Sequence, residues 1–99
     1  MAMNMQQMMK QAQRMQRQME ESRKALEEKE FKATSGGGAV EVVFDGGKRM
    51  KSITIDPEAV DPEDTEMLQD MILTAVNDAV GQVDAAQEQL MGGMSGMGF

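Results

Sequence analysis

Lys10, Arg14, Arg17 and Lys24 recur at intervals of four, three and seven residues. On an α-helix this spacing gathers them on one face, with Glu21 the one acid that intrudes. A line of cations can follow a phosphate backbone, because Lys and Arg contacts to phosphate supply affinity that does not depend on base sequence. Lys48, Arg49 and Lys51 form a second cluster just after Asp45-Gly46-Gly47. Each group also has an ordinary explanation. A charged stripe is commonly a solvated helix face, and cations at turns and strand edges commonly keep a sheet soluble. On spacing alone these are the more frequent reasons, but a dimer would present the stripe twice, which strengthens the phosphate reading.

Other chemistry is thinly supplied. The chain contains no His and no Cys. The usual general base and the commonest metal ligand are therefore missing, as are thiolates and disulfides. Ser22, Ser35, Ser52 and Ser95 have no imidazole to activate them. The thirteen Met residues could suggest a copper(I) site, but those of the N-terminal third follow helical spacing and suit an apolar seam better. Gly36-Gly37-Gly38 leads into a strand and lacks the Lys-Ser/Thr of a phosphate-binding loop, so it reads as a turn. The acids of the second half show no EF-hand spacing. Neither a catalytic constellation nor a metal or cofactor site is expected.

The formal charge of −7 is unevenly distributed. Residues 1–30 are net +1, residues 31–51 net +2, and residues 52–99 hold ten acids and no Lys or Arg. One end could meet a polyanion that the other would repel. With 99 residues, 40% of them apolar, and three aromatics, the chain makes one domain with a modest core. No apolar run approaches the length of a membrane span, and the start does not resemble a signal peptide. A cytoplasmic, soluble protein that gains stability by self-association is expected.

These residues must be positioned by a meander and two long helices. The runs Phe31–Ser35, Ala39–Phe44 and Met50–Asp56 read as strands separated by Gly-rich turns. Val40, Val42 and Phe44 alternate with Glu41, Val43 and Asp45, and Ile53 and Ile55 repeat the period of two. Asp45-Gly46 is a hairpin signal, since tight turns call for positive φ. The first helix is expected from about Met3 to Lys29. Its Met5, Met8, Ala12, Met15, Met19 and Leu26, with Ser22 the one polar entry, step by three and four as a heptad seam. The second helix is expected to begin near Asp61 or Asp64, with Pro62 in its first turn. Its apolar stripe runs from Leu68 to Leu90 and is interrupted by Gly81. Residues 1–91 form the domain, and residues 92–99 read as a flexible Gly/Met-rich tail.

Each helix would be roughly 40 Å long, whereas strands of six or seven residues reach only about 20–23 Å. Apolar stripe must project beyond the sheet. A homodimer whose paired helices extend from a compact centre, with the Met seam as the contact, answers this excess.

Ordered motifs along the chain add a resemblance. Met8-Met9-Lys10-Gln11-Ala12-Gln13, continuing through Met15-Gln16 and Gln18-Met19, is similar to the opening helix of the YbaB/EbfC nucleoid-associated family. Gly36, Gly38 and Val40, then Ile55-Asp56-Pro57, then Asn77-Asp78-Ala79, and the Gly/Met end with its terminal Phe resemble that family's later motifs in the same order. The resemblance implies an α+β fold, α-β-β-β-α, with a three-stranded antiparallel sheet and two long flanking helices in a tweezer-like homodimer. It implies a bacterial cytoplasmic protein of the nucleoid that binds duplex DNA through its protruding helices. Lys10 matches the family's motif directly; Arg14 and Arg17 share its face. Many relatives carry basic residues after Asn-Asp-Ala, where this chain has Val80-Gly81-Gln82. DNA contacts are therefore expected from Lys10, Arg14, Arg17, Lys24, Lys48, Arg49 and Lys51. The competing expectation is an adaptor or chaperone-like dimer that holds another protein on its Met-rich surface. No enzyme activity, small-molecule substrate or membrane partner is expected.

Overall fold

A computed structural model describes residues 4–96. The elements follow in the order α1 (Met5–Glu28), β1 (Glu30–Ser35), β2 (Val40–Asp45), β3 (Met50–Ile55) and α2 (Thr65–Gly96). The strands form one antiparallel sheet in the order β1-β2-β3. The α-β-β-β-α expectation holds, with shifts at the boundaries. Asn4 caps α1, its Oδ1 accepting from the Gln7 N–H at 2.8 Å, so the helix begins at Met5. Asp64 accepts from the Met67 N–H at 3.3 Å ahead of α2. Pro62 lies in the turn before α2 rather than in its first turn, because Asp61 closes that turn by accepting from the Glu63 and Asp64 N–H groups. α2 runs on through Gly96, five residues into the segment expected as a tail, and residues 97–99 lie outside the described residues.

The core is small and one-sided. Phe31 and Ala33 of β1 lie opposite Phe44 and Val42 of β2. With Val40 they meet Ala75, Ala79 and Val83 of α2, and these eight residues are the buried apolar set. The two alanines let the helix backbone lie close to the sheet. Three side-chain hydrogen bonds fix α2 along the strands. Ser35 Oγ donates to the Met71 carbonyl at 2.5 Å, Gln82 Nε2 to the Lys32 carbonyl at 3.1 Å, and Gln87 Nε2 to the Gly46 carbonyl at 3.2 Å. The opposite sheet face carries Lys32, Glu41 and Asp45 around Val43, with Lys32 3.6 Å from Glu41.

α2 packs on β1 and β2 and leaves β3 at an uncovered edge. Ile53 and Ile55 pair with Val42 and Val40, so they share the apolar face. Ile55 is half-buried, but Ile53 and Met50 remain about two-fifths exposed. β3 therefore has the expected alternation without the expected cover. α1 is barer still. None of its residues is buried, and only Leu26, near its end, packs against the core. The chain extends over 75 × 23 × 15 Å with a radius of gyration of 20.4 Å, against about 13 Å for a compact domain of this size.

Gly81 is exposed within α2, and a Cβ there would meet nothing. Gly in an exposed helix interior costs about 1 kcal/mol relative to Ala. Gly81→Ala should raise the unfolding free energy by about 0.5–1 kcal/mol in urea titrations. A loss of stability would mean that Gly81 lies against another surface in the assembled protein.

Candidate nucleic-acid interface

The projecting helix owes its attachment to one glycine. The C-terminal turn of α1 lies on the β2–β3 connection, where the Gly46 N–H donates to the Glu27 carbonyl at 3.1 Å. A Cβ on Gly46 would collide with the Leu26 carbonyl oxygen. Gly46 is needed for this close approach and not for an unusual φ. The positive φ of the hairpin falls on Lys48, at 63°, which corrects the expectation that an Asp-Gly pair would carry it. The reason is that Asp45 brackets a longer loop. Its Oδ1 accepts from the Gly47 N–H at 2.9 Å and the Arg49 N–H at 3.0 Å, while its own N–H donates to the Arg49 carbonyl at 2.9 Å. Gly36, Gly37 and Gly38 do adopt positive φ in the β1–β2 turn.

Beyond this joint the two faces of α1 differ. Lys10, Arg14, Arg17 and Lys24 are all exposed. Among the described residues the ion pairs involve Lys32, Lys48 and Lys51, and none of the four stripe cations. From Met5 to Met19 the helix holds no acid at all. Its last turn, by contrast, holds Glu27 and Glu28 and no basic residue. Acids there oppose the helix dipole, so these charges are not arranged to stabilise the helix that bears them. The opposite face carries the seam. Met5, Met8, Met15 and Met19 are 47–79% exposed, Ala12 is exposed, and Leu26 is half-buried.

The hairpin cations are differently placed. Lys48 Nζ lies 2.6 Å from Asp84 of α2, and Lys51 Nζ lies 3.8 Å from Asp45. Arg49 lines a cleft together with Glu27, Glu28, Glu30 and Asp45. Thus the structure brings Lys48, Arg49 and Lys51 to the base of α1 but surrounds them with acids, whereas the stripe shares its face with Glu21 and enters no ion pair among the described residues. The Lys48–Asp84 pair spans 36 residues and leaves no local signature in the sequence. Lys29 lies off the stripe, its Nζ 5.4 Å from the Phe31 ring centroid. No helix among the described residues is long and apolar enough to cross a membrane.

Known proteins share this layout. The family model described as the YbaB/EbfC DNA-binding family matches residues 1–98. A nucleoid-associated protein of Alkaliphilus metalliredigens is 52% identical over 95 residues, covering 96% of this chain and 83% of its own. One from Clostridium kluyveri is 50% identical over 96 residues, covering 93% and 84%. The crystal structure of the uncharacterized protein HP0035 from Helicobacter pylori superposes with a TM-score of 0.77 at 25% identity, covering 94% of this chain and 98% of that one.

The Asp45 bracket gives a pH signature. The Arg49 N–H, first, holds its carboxyl below the ordinary carboxylate value against partial desolvation, and the Gly47 N–H and the charges of Lys51 and Arg49 add to this. Unfolding lets the carboxyl take up a proton more readily, so its contribution is complete above the ordinary value and is lost as pH falls through the lowered one. Thermal unfolding followed from pH 7 down to pH 2 should show Asp45→Asn less stable than wild type at neutral pH. The gap should narrow in the acid range.

Proposed function

The chain belongs to the YbaB/EbfC DNA-binding family, and from that premise we propose that it is a nucleoid-associated homodimer holding duplex DNA through phosphate contacts from its α1 arms. The family is a DNA-binding one and not enzymatic, and its members are named nucleoid-associated proteins at about 50% identity to this chain. The observation that carries the finer reading is the exposed line of Lys10, Arg14, Arg17 and Lys24, outside every ion pair of the described residues, on a helix with no buried residue and no acid from Met5 to Met19.

Dimerisation follows from the other face of the same helix. A 24-residue helix with no buried residue, anchored only near its end through Leu26 and the Gly46 contact, lacks along most of its length the tertiary contacts that usually stabilise helices in proteins. The seam of Met5, Met8, Ala12, Met15, Met19 and Leu26 repeats like one strand of a coiled coil, and a second copy offers the same repeat. Burying each Met side chain fully contributes on the order of 1.5–3 kcal/mol, and Met tolerates imperfect interdigitation. The cations then face outward on both protomers. Lys48, Arg49 and Lys51 sit in acidic surroundings and assist only weakly, and α2, acidic throughout, makes no phosphate contact. The protein so described works in the nucleoid, organising DNA or regulating genes without reading bases.

One observation favours a different partner. Met67, Leu73 and Met91 of α2 are 58–68% exposed, as suits an adaptor that holds another protein on an apolar surface. A gel shift across a salt series separates the readings. Wild type should bind duplex DNA at low salt, with log affinity falling linearly in log salt and no more steeply than about −7, the limit for four cations on each of two arms. Arg14→Glu combined with Arg17→Glu, checked to keep the same mass and helicity, should weaken binding at least tenfold. Unchanged binding would remove the stripe from the account, and no binding by wild type at low salt would favour the adaptor.

A further inference from the structure

α1 changes composition part-way along. Residues 5–19 hold six Gln, five Met, three cations, one Ala and no acid. Residues 20–28 hold four Glu, two cations and no Gln. Gln and Glu are alike in shape and nearly equal in helix propensity, so forming the helix does not account for the switch. Solubility does not account for it either, because an exposed helix is ordinarily served by Glu and Lys in neighbouring turns. The two side chains differ in that Glu is an anion that only accepts hydrogen bonds, whereas Gln is neutral and its amide also donates. The outer part of the arm is thus cleared of groups that repel a polyanion and supplied with donors.

These amides stand beside the cations. Gln6 and Gln7 precede Lys10 by four and three residues, Gln11 precedes Arg14 by three, Gln13 precedes Arg17 by four, and Gln18 follows Arg14 by four. Residues so spaced are neighbours on a helix surface. Gln16 departs from the pattern. It stands four after Ala12 and three before Met19, among the apolar residues. All six are exposed. Among the described residues none of the six hydrogen-bonds through its side chain, whereas Gln82 and Gln87 of α2 each donate to a backbone carbonyl.

We infer that Gln6, Gln7, Gln11, Gln13 and Gln18 are further DNA-binding residues, whose amides donate to phosphate oxygens flanking those met by Lys10, Arg14 and Arg17. This rests on the reading of α1 as the arm that holds DNA, and it concerns each arm by itself. Gln is among the side chains that donate to phosphates in protein–DNA complexes, where such bonds fix position and carry no sequence information. The amides differ from the cations in one measurable respect. Neutralising a phosphate releases counterions and steepens the salt dependence of binding, whereas a hydrogen bond from a neutral amide releases none. The rim of amides therefore adds affinity that salt does not remove.

The test is a gel shift across a salt series on two duplexes, one A·T-rich and one G·C-rich. Wild type is compared with Gln16→Ala and with a fivefold variant combining Gln6→Ala, Gln7→Ala, Gln11→Ala, Gln13→Ala and Gln18→Ala. Ala favours the helix at least as well as Gln, and circular dichroism and sedimentation check that helicity and mass are kept. The fivefold variant should bind both duplexes about tenfold more weakly or worse at every salt concentration, with the log–log slope of wild type. Gln16→Ala should bind as wild type does. Unchanged affinity of the fivefold variant would overturn the inference and leave the cation contacts intact. A shallower slope would mean that the amides only hold the cations in place, and a loss confined to the A·T-rich duplex would mean that they meet adenine edges instead; either result overturns it. An equal loss in Gln16→Ala would assign the effect to the helix and not to one face, and would overturn it too. Failure of wild type to bind either duplex at low salt would remove the underlying reading as well.

Discussion

A six-residue strand spans about 20 Å, whereas α1 with 24 residues and α2 with 32 span about 36 and 48 Å. The sheet is simply too short to cover its own helices. α2 spends its small residues, Ala75 and Ala79, on β1 and β2. Nothing remains to cover β3 or α1. The result is a chain 75 Å long whose apolar surface is divided between a half-covered sheet and an arm with no buried side chain. The arm is not loosely attached, because Gly46 lets the α1 terminus meet the hairpin backbone directly and Asp45 holds that hairpin closed. A firm joint and a bare rod are what the proposed dimer would need from each subunit.

Charge is sorted along the same axis. The ten acids of residues 52–99 and the cations of the arm would attract each other in a compact fold, and the extended shape keeps the stripe away from them. Where basic residues do lie near α2, they are neutralised, as Lys48 is by Asp84. The net charge of −7 therefore describes the average and not the surface that a polyanion would meet. A negative body also disfavours close approach of a polyanion to α2.

The sequence made the local patterns plain. Alternation marked β2, and excess helix length indicated an arm. The motif set indicated the YbaB/EbfC family, to which the chain belongs. Contacts between distant residues were less visible. Gly46 looked like a turn residue because Asp-Gly usually is one, yet its role is set by Leu26, twenty positions earlier. The hairpin cations looked equivalent to the stripe until Asp84 and the Glu27–Glu30 region were seen beside them. β3 had a strand's pattern, but only the placement of α2 over β1 and β2 showed that Ile53 would stay uncovered. The placement of the four cations opposite the Met repeat was legible because a helix fixes that relation by itself.

The account stands on the arm needing a second copy. Sedimentation equilibrium of the full chain at micromolar concentration tests this most directly. The account predicts a mass twice the 10.9 kDa of the chain, falling towards the single-chain value when Met8, Met15 and Met19 are replaced together by Lys. A wild-type mass of 10.9 kDa with full helicity would show that the bare arm is stable alone, and would contradict it.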